Sequence, residues 1–260
     1  MFRPSPEVHK CSAIYRLALP EQAGRGIAGE HLGRGTGSSL EFQDRRTYSA
    51  GDDVRHIDWR AYGRTDQLFV RVYREEIQPR VEVLLDISKS IAIDEKKAKT
   101  AIDTAALLYK LAKAGGFTAK FITLSDRAEP LEIENLETVG IDMNGRRPLA
   151  ETAREAFGWL GNGALRFLIS DFMSPHEAPS LVRPLAARAG KLTLIQILTK
   201  EEREPAAGEA LRLTDSESDE FVDLILDEST IRDYKKRLQR LASALDQECR
   251  RARGQFVSLT

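Results

Sequence analysis

The chain has 260 residues, 42% hydrophobic and 30% charged, which fits a soluble globular protein of one core-sized domain with an extension. Its 39 Lys+Arg and 40 Asp+Glu leave a formal net charge of −1, giving no electrostatic reason to expect nucleic acid as a partner. The apolar runs are too short to span a bilayer, and Met1-Phe2-Arg3-Pro4-Ser5-Pro6 has no apolar signal core. Cys11 and Cys249 lack metal-binding spacing, so free thiols in a reducing compartment are expected, with the cytoplasm as the default.

In chain order, Ala13, Ile14, Leu17 and Ala18 recur at helical spacing and predict a short helix stopped by Pro20. Gly24-Arg25-Gly26-Ile27-Ala28-Gly29 matches G-x-G-x-x-G. However, no strand-like run precedes it and no helix-like run follows, so it reads as a loop and not a dinucleotide site. Residues 40–66 mix aromatics with charges of both signs: Arg45, Arg46, Arg55, Arg60 and Arg64 stand close to Asp44, Asp52, Asp53, Asp58 and Asp66. Such a segment can be a recognition surface, since Arg and aromatic residues are enriched at interface hot spots. It can equally be an ion-pair network pinning an irregular stretch onto the main domain. The second is the expectation, with Trp59 largely buried. Residues 1–80 carry 13 basic and 11 acidic residues, too even a balance for a phosphate-binding patch. Leu68–Tyr73 alternates as an edge strand does.

From residue 81 onward, buried-strand and amphipathic-helix patterns alternate. Val81–Asp86 is an apolar, β-branched run. Ala98, Ala101, Ile102, Ala105, Leu108 and Ala112 share one helical face, closed by Gly115-Gly116. Phe117–Ser125 predicts a strand, Leu131–Ile133 a short edge strand, and Pro148 the start of a helix. Ala164–Ser170 predicts a strand, 177–190 a helix broken near Pro184, and Leu192–Leu198 another strand. Leu211–Thr214 and Phe221–Leu226 predict a hairpin, Ile231 to Gly254 a long helix, and Gln255–Thr260 a last strand. The alternation implies an α/β fold, a mostly parallel doubly wound sheet of Rossmann type over 81–260, with residues 1–80 as an appended N-terminal segment.

Two strand ends carry the chemistry. The first strand runs into Asp86-Ile87-Ser88-Lys89-Ser90, and the strand Leu168-Ile169-Ser170 runs into Asp171. Parallel strands deliver both carboxylates to one edge, where ligands of open α/β sheets bind. Two carboxylates with the Ser88 and Ser90 hydroxyls form an oxygen set of the kind that holds Mg²⁺, which keeps several waters and takes one or two carboxylates. The plainer alternative is that Asp86 and the serines cap a helix or form a turn.

Asp86-x-Ser88-x-Ser90 with the later Asp171 resembles the metal-ion-dependent adhesion site of von Willebrand factor A domains. Glu41-Phe42, then Arg46-x-Tyr48-x-x-Gly51-Asp52-Asp53-x-Arg55-x-Ile57-Asp58-Trp59, then Arg64-Thr65, is similar to the signature of the bacterial "domain of unknown function fifty-eight" family (DUF-58), which lies just ahead of a von Willebrand A-like domain. The resemblance covers about residues 30–260. It implies a non-enzymatic adaptor that works with a MoxR-type AAA+ ATPase on a client protein, through a Mg²⁺ site of Asp86, Ser88, Ser90 and Asp171. One departure stands out: Gly145-Arg146-Arg147-Pro148-Leu149 puts Arg147 where that fold supplies a threonine ligand, and Thr152 lies a turn into the helix. Two placements of Arg147 are open: its guanidinium pairs with Asp86 or Asp171 in place of the metal, or it points into solvent. The alternative function is a metal-dependent hydrolase using Asp52, Asp53, Asp86 and Asp171. Against it, His9, His31, His56 and His176 are scattered, and there is neither a G-x-S-x-G elbow nor a P-loop.

Overall fold

A computed structural model describes residues 1–17, 40–75, 80–174, 176–206, 210–214, 221–225 and 227–260, with the backbone alone over 40–44, 72–75, 210–214 and 221–225. The Gly24–Gly29 motif and His31 lie outside the described residues. Two compact units make up the chain: residues 1–19 with 79–260, and residues 20–78.

The larger unit opens with α1 (Pro6–Ile14), whose first turn accepts Pro6 because no intrahelical N–H is needed there. This helix ends at Ile14, earlier than the spacing of Ala13, Ile14, Leu17 and Ala18 predicts, because Tyr15 is already extended. It packs on the helix Glu95–Ala114, and Ser5 N donates to Asp103 Oδ1 (2.6 Å). The smaller unit holds β1 (Leu40–Thr47), α2 (Trp59–Thr65) and β2 (Phe69–Glu75), with β1 and β2 antiparallel.

The larger unit continues with β3 (Arg80–Asp86), α3 (Lys89–Ala92), α4 (Glu95–Ala114), β4 (Thr118–Leu124), β5 (Ala128–Pro130), α5 (Ile133–Thr138) and α6 (Leu149–Glu155). Then come β6 (Leu165–Ser170), α7 (Ala178–Ala186), β7 (Lys191–Ile197), α8 (Lys200–Arg203), the hairpin β8 (Ala210–Thr214) and β9 (Phe221–Ile225), α9 (Glu228–Arg251) and β10 (Gln255–Leu259). The six-stranded sheet has the order β10-β7-β6-β3-β4-β5. It is parallel except for β5, which runs antiparallel to β4 at one edge.

Strand periodicity divides the core. Val81, Val83 and Leu85 face one side with Ile195 and Ile197, under α4 residues Ala98, Ala101, Ile102 and Ala105. Leu84, Leu168, Leu192 and Leu194 face the other, under Leu149, Leu181, Leu185 and Leu245 of α6, α7 and α9. Helices on both faces make this the doubly wound α/β sheet that the alternation predicts.

Three local expectations change. The edge strand is Ala128–Pro130, and Ile133 instead opens α5, burying its side chain with Leu136. Pro148 is the residue capping α6 and not its first helical position. Helix α7 runs through Pro184 to Ala186, because Leu181, Val182 and Leu185 are buried on the sheet and hold its last turn despite the missing N–H.

Candidate functional site

The strand register builds the site. Leu85 pairs with Ile169 across β3 and β6, so Asp86 ends its strand beside Ser170 and Asp171 follows at the same edge. Asp86 is 4% exposed and Asp171 1%. Asp86 Oδ1 accepts from Ser88 N (2.9 Å) and Oδ2 from Ser170 Oγ (2.5 Å). Burial, and then the negative charge of Asp171, push the Asp86 carboxyl up to about 6. The Ser88 and Ser90 hydroxyls lie 3.0 Å apart. The Gly145 loop closes the edge: Gly145 N donates to Ile87 O (3.1 Å) and Lys89 N to Gly145 O (2.8 Å). A side chain at Gly145 would meet the Ser125 backbone at 2.8 Å, so this close approach requires glycine. Just past Asp171, Phe172 takes a left-handed conformation (φ 59) with its ring buried, a strained position for an aromatic residue next to a candidate site.

Lys97 supplies the positive charge at this edge. It stands in the first turn of α4, 3% exposed, and its ammonium donates to Asp171 Oδ2 (2.7 Å), Glu202 Oε1 (2.7 Å) and Ser90 O (3.3 Å). Burial works to lower its pKa, but Asp171 and then Glu202 outweigh that and hold it above the usual lysine range. Glu202 is itself fixed by a capping box with Thr199 at the start of α8. The Tyr234 hydroxyl donates to Glu202 O (2.6 Å), and burial pushes its pKa up to about 12.

Arg147 takes the solvent-facing placement, with its side chain 41% exposed. Its guanidinium donates to Glu151 Oε2 (3.0 Å), Glu155 Oε2 (2.8 Å) and Asp126 O (3.1 Å), and not to Asp86 or Asp171. The acids of its own helix lie within reach and stay in solvent, so the pairing needs no desolvation of a guanidinium. Thr152 is buried and donates to Leu149 O (3.2 Å) within its helix, so it offers no hydroxyl to the edge.

These residues match a hard cation in kind but not in charge. Ser88, Ser90 and Asp86 offer oxygens, yet the third hydroxyl is missing and an ammonium already sits 2.7 Å from Asp171. They do not fit a tightly held Mg²⁺.

A second buried pair lies deeper in the sheet. Glu82 and Arg166 are register partners in β3 and β6, and Arg166 Nε donates to Glu82 Oε2 (2.8 Å). The guanidinium also donates to Leu185 O and to Gly161 O (2.9 Å), tying the end of α7 and the loop at Gly161 to the two central strands. Neither this pair nor Lys97 was singled out from the sequence. The signals were present: charges inside apolar strand runs, and a lysine on the helix face of Ala98 and Ala101.

In the smaller unit the signature residue Asp58 is 1% exposed. Asp58 Oδ1 accepts from Arg60 N and Ala61 N (each 3.1 Å), capping α2, and from Arg71 Nη2 (3.1 Å), while Arg45 Nε lies 3.0 Å from Oδ2. Hydrogen bonds, first from Arg71, hold its carboxyl down at about 2. Arg46 pairs with Asp52 (2.5 Å) and Arg55 with Asp53 (2.7 Å). Tyr48 N donates to Leu68 O (2.9 Å), and Gly51 takes a positive φ of 110 in the turn between them. Trp59, expected to be buried, is 63% exposed and meets Tyr62 edge-on at 6.3 Å. As first residue of α2 it points away from the side on which Ala61 is buried.

The fold and the strand-tip cluster define a mixed α/β protein with buried charged residues gathered at one edge of its sheet. The chain belongs to the family described as "Protein of unknown function DUF58", whose model matches residues 44–244. It is 27% identical over 114 residues to "Uncharacterized protein Rv1480" of Mycobacterium tuberculosis and to "Uncharacterized protein Mb1516" of Mycobacterium bovis, covering 43% of this chain and 36% of each relative. The aligned part thus spans about a third of the curated relatives it matches. Among solved structures, an aerotolerance-related membrane protein from Bacteroides fragilis aligns at 11% identity and TM-score 0.38, covering 70% of this chain and 92% of that one. The conserved hypothetical protein BatB from Bacteroides thetaiotaomicron aligns at 13% and 0.38, covering 70% and 90%. Among the described residues, no helix is long and apolar enough to cross a membrane.

Proposed function

We propose that the chain is a non-enzymatic interaction module of the von Willebrand A kind, acting in the cytoplasm with a MoxR-type AAA+ ATPase in the remodelling of a client protein. The observation that carries this reading is the meeting of Asp86, Ser88, Ser90 and Asp171 at the tips of two neighbouring parallel strands. The strand order, with its antiparallel edge strand, supports the von Willebrand A comparison. A Mg²⁺ bridge to an acidic partner group, which the resemblance implies, is left out because Lys97 already neutralises Asp171.

The polar groups at the edge are engaged with one another and not arranged as nucleophile and base. Ser88 faces Ser90, Ser170 is committed to Asp86, and His176 Nδ1 lies 2.7 Å from Ser174 O. The hydrolase reading has less support, since Asp52 and Asp53 are each held in an arginine pair.

Capture of a MoxR-type ATPase by the purified chain tests the proposal. Wild type should retain it, and the Ser88→Ala/Ser90→Ala double variant, which removes the half-exposed hydroxyls, and Asp86→Ala, which releases Ser88 from the buried carboxylate that positions it, should each lose at least about tenfold in affinity. Equal capture by all three refutes the docking face. Phosphoester hydrolysis lost on Asp86→Ala would instead favour the enzyme.

A further inference from the structure

An ammonium has three donors and no acceptor. In Lys97 all three are used, and the acceptors come from three different segments: Ser90 O after β3, Asp171 Oδ2 after β6, and Glu202 Oε1 after β7. A buried cation is costly unless paired and fully hydrogen-bonded, and this one meets both conditions. Each carboxylate oxygen of the two strand-tip aspartates has a partner within the chain: Met173 N donates to Asp171 Oδ1 (3.0 Å), and Ser88 N and Ser170 Oγ donate to Asp86.

We infer that Lys97 is the resident cation of the strand-tip site: it balances the carboxylate charge that a divalent metal balances in a metal-dependent edge of this kind, and the site holds its shape without metal. Its position explains how. A side chain rooted in the first turn of α4 reaches Asp171 and Glu202 from inside the fold, leaving Ser88 and Ser90 half-exposed at the surface. A divalent ion brought to those hydroxyls would meet a fixed positive charge behind Asp171, and the two cations would repel. The role of this edge as a docking face rests on the proposed function; its metal preference does not.

Calorimetric titration of the full chain with MgCl₂ and MnCl₂ tests the inference. Wild type should show no saturable binding below millimolar concentration. Lys97→Met and Lys97→Gln, which remove the charge, should bind at least about tenfold more tightly, whereas Lys97→Arg, which keeps it, should stay weak. Micromolar binding by wild type overturns the inference, as does a folded Lys97→Met that binds no better. Should the neutral variants not fold, melting of the wild type decides: the same melting temperature in EDTA and in excess MgCl₂ supports a resident ammonium, and a rise of more than about 3 °C with Mg²⁺ overturns it. Partner capture separates the two readings. Capture that survives EDTA but fails on Asp86→Ala supports both. Capture abolished by EDTA overturns the Lys97 inference and leaves the docking face standing. Capture indifferent to Asp86→Ala removes the docking face and leaves the titration to judge Lys97.

Discussion

The two units use the same chemistry, basic side chains paired with carboxylates, in opposite surroundings. At the strand tips Lys97 and Asp171 have side chains 1% and 2% exposed. In the signature segment Arg46 and Asp52 are 52% and 17% exposed, and Arg55 and Asp53 are 84% and 25%. Solvent screens the second kind of pair and leaves it little net effect, whereas a dry pair broken on one side strands an uncompensated charge. Asp58 stands between these extremes: its side chain is buried, but its partners Arg45 and Arg71 reach into solvent. Residue type and spacing alone do not separate these cases; burial does.

Substitutions should rank accordingly. The largest loss is expected for Arg166→Met, which leaves Glu82 buried and unpaired and takes a donor from Gly161 O; breaking such a pair costs about 3–5 kcal/mol, readable by denaturant melts. A loss within that range would place the sheet centre firmly among the dry pairs, and an unchanged midpoint would contradict its burial. Lys97→Met should cost a similar amount, on the order of 3 kcal/mol, but with one difference that sharpens the comparison. Its loss should shrink when Mg²⁺ is added, because a divalent ion can replace the missing charge at Asp171, whereas no ion reaches Glu82.

The third effect is a pH dependence of opposite sign in the two units. Asp86 has its folded-state value raised to about 6, so its stabilising contribution is present in full below the ordinary carboxylate value and is lost as pH rises through about 6. Asp86→Asn should flatten the fall in stability between about pH 4 and 6 and raise the melting temperature at pH 7. Asp53 and Asp58, held down at about 2, contribute above the ordinary carboxylate value and lose that contribution as pH falls through about 2. A carbon-13 titration of the Asp86 carboxyl that reads near 4 would remove the contrast.

The smallest effects belong to the signature segment. Asp58→Ala removes the cap of α2 and the shared partner of Arg45 and Arg71, and should lower that unit's resistance to proteolysis between Arg46 and Arg64. Asp52→Asn should leave the melting temperature unchanged, since its arginine is exposed; a large drop there would erase the distinction between the units.

The sheet was legible because its strands are buried on both faces. Val81–Leu85, Leu165–Ile169 and Leu192–Ile197 read as apolar runs, and the helices between them allow only parallel crossovers. The same logic brings Asp86 and Asp171 to one edge from sequence alone. Local boundaries were less legible: Ile133 has the same apolar side chain whether it serves a strand or a helix, and packing beside Leu136 made it helical. For Trp59, aromatic character suggested burial, but the cap at Asp58 set the helix phase and turned the ring outward.

The sequence by itself determined the α/β alternation, the strand-tip carboxylates and the family signature, because each rests on a local period or a fixed spacing. Only the tertiary structure decided which cation meets Asp171. Arg147 and Lys97 are both basic residues at helix starts, and the family resemblance pointed only to the first. The fold gave Arg147 two solvent-exposed glutamates on its own helix, and placed Lys97, seventy-four positions before Asp171, where its ammonium is enclosed by three segments. A charge settles where its desolvation is balanced by partners, and those partners come from segments far apart in the chain.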